Sequence, residues 1–163
     1  MADPPVPGNG SRPRGADRLF RGVVTGHASV LLVMGLIGLV WPGSVLEAAG
    51  LRIDELVAVL GEEPSSYAPL TIVRLGGVGC LAFGGLLLVA ARGLQPSARE
   101  SMLLVLVVAT GFTGFVLASQ QLAVWRNLVG GVLTTLTVAL LVASAVTLVR
   151  LRTEREPRSG PGG

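Results

Sequence analysis

Apolar residues in this chain are pooled into long runs and do not alternate with polar ones. Four runs, Val23 to Trp41, Leu70 to Ala91, Met102 to Ser119 and Leu128 to Val149, are long enough to cross a hydrocarbon core that needs about 20 helical residues. In lipid every backbone polar group must be satisfied within the protein, so such runs are expected to be helices. The predicted architecture is therefore all-α: an integral membrane four-helix bundle over residues 22–150. The N-terminal "MADPPVPGNGSRPRGADRLFRG" is rich in Pro, Gly and Arg and reads as disordered to about Leu19, so residues 1–21 are taken as a disordered segment. The tail from 151 to 163 reads likewise. The first run exceeds the apolar core of a signal peptide, which spans about 7 to 15 residues, and no small-x-small cleavage site follows it, so it is expected to be retained.

The connection from 42 to 69 also carries structural signals. "SVLE" at 44–47 is a capping-box pattern, in which the Ser44 oxygen accepts from the Glu47 backbone N–H, and the helix it opens is expected to break near Gly50. Further on, Ile53, Leu56, Val57 and Leu60 recur at helical spacing, predicting a short amphipathic helix over the bundle mouth. It serves either as a plain interfacial cover or as a lid over a site.

Small and weakly polar residues mark the faces on which membrane helices meet, because lipid supplies little hydrophobic drive between them. The second run carries Gly76, Gly77, Cys80 and Gly84 within an arc of about 100°. The fourth aligns Asn127, Gly130, Thr134, Thr137 and Ser144, with Leu141 in register. The third offers Thr110, Gly114 and Gln121, and the first Gly22, Gly26 and Ser29. These faces are expected to converge on the bundle interior, or for one of them to mediate a homo-oligomer.

Charge adds orientation. Of the 163 residues, 14% are charged, and all 13 basic residues are arginine. Ten of them, Arg12, Arg14, Arg18, Arg21, Arg92, Arg99, Arg150, Arg152, Arg155 and Arg158, fall on one side of the predicted spans. The positive-inside bias then predicts a multi-pass protein of the cell membrane with both termini cytoplasmic. The first outer loop sets Glu47, Asp54, Glu55, Glu62 and Glu63 against Arg52 alone. Trp41, Tyr67 and Trp125 fall near the outer boundary, where amphipathic rings are favoured. No basic face is interleaved with aromatics, so nucleic acid is not an expected partner. The expected partners are the lipid bilayer and a membrane protein, or a second copy.

The candidate ligand-binding residues follow from polarity out of place. Arg74 lies inside a span, about 7 Å below Pro69, within reach of a guanidinium that snorkels to the interface. It is read either as the partner of an outer-loop carboxylate, Glu47 first and Asp54 second, or as an anion or lipid-headgroup site. His27, the sole histidine, sits about two turns into the first span; it can satisfy itself on a neighbouring backbone group or hydroxyl, or relay protons. Trp125, with Arg126 and Asn127, forms a cluster at the short outer turn that interfacial anchoring explains without a ligand.

Several chemistries are excluded. A single cysteine, Cys80, permits neither an intramolecular disulfide nor a dithiol relay. One histidine cannot make a paired-histidine haem site, and no histidine and cysteine cluster suits zinc, so no cofactor or metal is expected. "GGVGCLAFGG" lies within an apolar span with no strand before it, which removes its likeness to a dinucleotide loop.

The size, the four spans, the helical outer loop and the segment "LTIVRLGGVGCLAFGGLLLVA", with its R-x-G-G at Arg74, Gly76 and Gly77, resemble small four-span bacterial membrane proteins of the DoxX-like group. The resemblance covers roughly residues 20 to 150. It implies a four-helix membrane fold and, for some members, an accessory role in quinone-coupled oxidation; the absence of paired cysteines and haem ligands sets this chain apart from direct electron transfer. Two functions stand. One is a non-catalytic membrane protein that binds a partner protein or lipophilic ligand, as an accessory subunit in one version. The other is a small intramembrane cyclase or isomerase using Glu47 or Asp54 as acid and base and Arg74 to orient its substrate.

Overall fold

The computed structural model describes residues 14–50, 64–122 and 128–155. These form five helices: α1 Arg14–Val40, α2 Pro42–Ala48, α3 Pro64–Gly93, α4 Pro96–Gln120 and α5 Leu128–Arg155. The four long helices each contain an apolar stretch of 24 to 27 residues, enough to span a bilayer. The protein is an all-α four-helix bundle and a multi-pass membrane protein. One end of the bundle, here the terminal end, gathers the first turns of α1 and α4 and the last turns of α3 and α5; the opposite, loop end carries α2.

α1 begins at Arg14, well inside the segment expected to be disordered. Its extra turns are held by contacts that composition does not reveal. Ala16 and Phe20 are buried, and Asp17 pairs with Arg99 of α4. α2 also starts earlier than the capping-box pattern suggests. Pro42 takes the first helical position after Trp41, where a missing N–H costs nothing, and no side-chain cap forms. The helix stops at Gly50, whose φ of 80° is the left-handed conformation that glycine adopts freely. The amphipathic stretch that holds Ile53 to Leu60 lies outside the described residues.

Packing is uneven around the bundle. α1 lies along α3, α4 along α5, and α1 also touches α5. The α1–α3 seam is the closest. A methyl group on Gly35 would lie 2.7 Å from the Gly77 carbonyl oxygen, and one on Gly77 would lie 2.8 Å from the Gly35 carbonyl oxygen. Two turns below, a Cβ on Gly84 would meet the Ala28 carbonyl oxygen at 3.1 Å. Here two backbones touch directly, which is how glycine promotes helix association where lipid offers no hydrophobic drive. The expected stripe on α3 therefore holds at Gly77 and Gly84. It does not hold at Gly76, which is exposed and whose Cβ would meet nothing within 4 Å. On α1 the contact face is Ala28, Gly35 and Gly38. Gly22 and Ser29 are exposed, and Gly26 faces Leu140 of α5 at 3.7 Å.

The α4–α5 pair follows its predicted faces more closely. Gly114 receives the Thr137 methyl at 3.5 Å, and Gly111 receives Leu141 at 3.9 Å. Ser144 and Thr147 are fully buried and return their hydroxyls to the Leu140 and Ala143 carbonyls of their own helix at 2.8 and 2.7 Å. Their polarity is thereby spent locally, and they act in the interface as small residues. Toward the terminal end, Phe20, Val24 and Ala28 meet Leu87, Ala91, Leu103, Leu106 and Leu148 in the one core cluster among the described residues.

The seam makes a directional prediction. Gly77→Ala forces two backbones apart and is expected to destabilise by roughly 1–3 kcal/mol, the usual cost of overpacking, whereas Gly76→Ala is expected to be neutral. Thermal unfolding in detergent checks this, and equal effects at the two positions would remove the seam from the account.

Candidate functional site

α3 and α4 follow one another with only Leu94 and Gln95 between them. Leu94 N–H still donates to Ala90 at 3.1 Å, Gln95 is extended, and Pro96 opens α4. Helices joined this tightly usually pack side by side. Here α3 is committed to α1 through the glycine seam and α4 to α5, and α3 and α4 pack only loosely on each other, sharing the buried cluster of Leu87, Ala91, Leu103 and Leu106. Between them lies a cavity of about 400 Å³, lined by Phe83, Leu86, Leu87 and Ala90 of α3 and by Ser101, Met102, Val105 and Leu106 of α4. Leu87 and Leu106 form its buried floor, while Phe83, Leu86 and Val105 are exposed at its mouth. Gly76 and Gly79 continue the same face of α3 toward the loop end, with open space around both. On α4, Phe112 and Phe115 stand 72% exposed farther toward the loop end. The result is a groove whose walls are apolar apart from Ser101.

A second concave surface, about 590 Å³, lies on the outward face of α5 around Gly131, Thr135 and Ala139. One helix alone lines it. The Thr135 hydroxyl is returned to the Gly131 carbonyl at 2.9 Å, so it presents a shallow hollow and no convergent polar group.

The polar candidates are dispersed. His27 is buried at the crossing of α1 and α4. Its Nδ1–H donates to the Val23 carbonyl at 3.0 Å, and Nε2 lies 3.1 Å from the Thr110 hydroxyl. A carbonyl can only accept, which puts the proton of a neutral ring on Nδ1 and lets Nε2 accept from Thr110. Both nitrogens are thus satisfied, one by backbone and one by hydroxyl; flanking Thr25 and Ser29 are exposed and take no part. His27 serves as a registration point between α1 and α4.

Arg74 and Glu47 are both exposed, and neither takes part in an ion pair among the described residues. The expected Arg74–Glu47 pair is not formed. Ion pairing occurs instead at the terminal end. Arg99 of α4 donates to Asp17 of α1, reaches the Leu94 carbonyl at 3.3 Å and lies 5.3 Å from the centre of the Phe20 ring. Its neighbour Glu100 accepts from Arg152 of α5 at 2.7 Å. Two adjacent residues of α4 therefore fasten α1 on one side and α5 on the other. The sequence held a signal for this, since Asp17 and Glu100 are acids on the arginine-rich side of the membrane, each within a turn or two of a span. Asp54 and Trp125 lie outside the described residues. Among the described residues no three metal-ligating side chains come together.

Compared with known proteins, the chain matches no protein-family model, no curated protein and no solved structure.

The His27–Thr110 contact carries a prediction. A double-mutant cycle with His27→Leu and Thr110→Val, read by thermal unfolding in detergent, is expected to give a coupling of about 0.6 kcal/mol, and no more than about 1.7, the range for hydrogen bonds between membrane helices. Strict additivity would show the two side chains to be independent.

Proposed function

We propose that this is a non-catalytic integral membrane protein whose α3–α4 groove binds a lipophilic ligand, a single extended hydrocarbon chain of the acyl or isoprenoid kind. One observation carries the reading: consecutive helices pack only loosely around an apolar groove of about 400 Å³. That volume is at the lower end of the range for small-molecule sites. The near absence of polar lining favours a ligand held by shape and dispersion.

The intramembrane enzyme is less well supported, because it needs a carboxylate facing the bundle interior. Of the described acids, Asp17 and Glu100 are engaged by arginines at the terminal rim, and Glu47 and Glu154 are exposed. In keeping with the resemblance of its second span to the DoxX-like group, the proposal extends to an accessory role beside a larger membrane complex, with both termini in the cytoplasm as the arginine distribution implies.

Photocrosslinking tests the groove. A diazirine-bearing fatty acid or isoprenoid alcohol added to the purified protein in detergent is expected to label peptides containing Phe83–Ala90 and Met102–Leu106. Ala90→Phe, which fills the groove, is expected to reduce that labelling several-fold. Equal labelling of the α5 surface around Val132 to Ala139, untouched by Ala90→Phe, would reduce the groove to ordinary lipid-facing surface.

A further inference from the structure

The levels of polar residues along the long helices define a slab. On α3, Arg74 and Arg92 are 18 residues apart, which is five full turns, so they share one face and are separated by about 27 Å. Arg21 and Trp41 bracket α1 by about 30 Å, and Glu100 and Gln120 bracket α4 by about 30 Å. These spans match a hydrocarbon thickness of about 30 Å. Taken as the two boundaries, these levels place Arg74 at the rim of the hydrocarbon. Its level agrees with that of Trp41: a Cβ on Gly38 would lie 3.4 Å from the carbonyl oxygen of Val73, the residue before Arg74, and Trp41 follows Gly38 by less than a turn. Trp41 is 58% exposed, as an interfacial anchor is.

From this placement we infer that Arg74 is a phosphate-binding residue that holds the phosphodiester of a phospholipid in the leaflet at the loop end. Arg74 is exposed on the flank of α3, about 60° from Gly77 of the seam and about 160° from Ala90 in the groove, and has no ion-pair or hydrogen-bond partner among the described residues. Its planar fork matches a phosphate by two parallel hydrogen bonds. The site is independent of the α3–α4 groove. It also accounts for an arginine where the helix sequence is otherwise apolar: the charge fixes how deep α3 sits.

The test uses the full chain in nonionic detergent micelles with Trp125→Phe, which leaves Trp41 as the sole tryptophan. Phosphatidylcholine with a nitroxide on its headgroup is the probe, and quenching of Trp41 is the readout. Strong quenching is expected with Arg74 present, a several-fold loss with Arg74→Gln, partial retention with Arg74→Lys, and no change with Arg92→Gln, which lies at the other boundary. Circular dichroism establishes that each variant is folded. Unchanged quenching in Arg74→Gln, or an equal loss in Arg92→Gln, would overturn the inference. Relief of quenching by millimolar inorganic phosphate would overturn the lipid assignment in favour of a soluble anion.

Discussion

The contact between Gly35 of α1 and Gly77 of α3 governs the arrangement of this bundle. At that point each glycine stands where a single methyl group would run into the opposite carbonyl oxygen. Close approach lets dispersion and weak Cα–H contacts accumulate over several turns, each Cα–H contact worth about 0.5–1 kcal/mol. Such a seam fixes both the rotation and the depth of α3, because sliding or turning either helix brings side chains into the backbone of the other. With α3 rotated to face α1, its opposite face, Ile72, Gly76, Gly79, Phe83, Leu86 and Ala90, is turned toward lipid and the side of α4. The groove is a consequence of where the glycines are.

Polar groups are handled in two ways that bear on function. In the interior, His27, Thr110, Ser144 and Thr147 are buried and each is hydrogen-bonded within the protein. At the terminal end, charges are used to fasten helices. Arg99 and Glu100 sit side by side at the start of α4 and reach α1 and α5, while the short link holds the same helix end to α3. α4 is thus anchored at one end and free to stand away from α3 over the rest of its length.

Much of the fold was legible in the sequence because membrane constraints are severe. Apolar runs of about 20 residues leave few alternatives to spanning helices, and the stripe through Gly130, Thr134, Thr137 and Ser144 marked the α5 face that packs. What the sequence did not reveal depends on rotation and pairing. Gly76 and Gly77 are adjacent and equally small, yet about 100° apart on the helix, and only the partner's position decides which is buried. Gly35 and Gly38 were available in the same run as Gly22 and Gly26, but a stripe can be drawn through either set. The Arg74–Glu47 pair was plausible by proximity along the chain, whereas the pairs that formed join residues 82 and 52 positions apart. The groove had no sequence signature, since a two-residue link argues for contact between the helices it joins.

The rotation of α3 is the central claim, and electron paramagnetic resonance measures it directly. Single nitroxide labels are placed along α3 in a Cys80→Ser background in liposomes, and their collision rates with dissolved oxygen are compared. Protection is expected at Leu81 and Leu88, which face α1 and the core, and high, lipid-like accessibility at Ile72, Gly79 and Phe83. Protection at Ile72, Gly79 and Phe83 would mean that α4 packs against that face, and it would contradict both the seam-directed rotation and the groove.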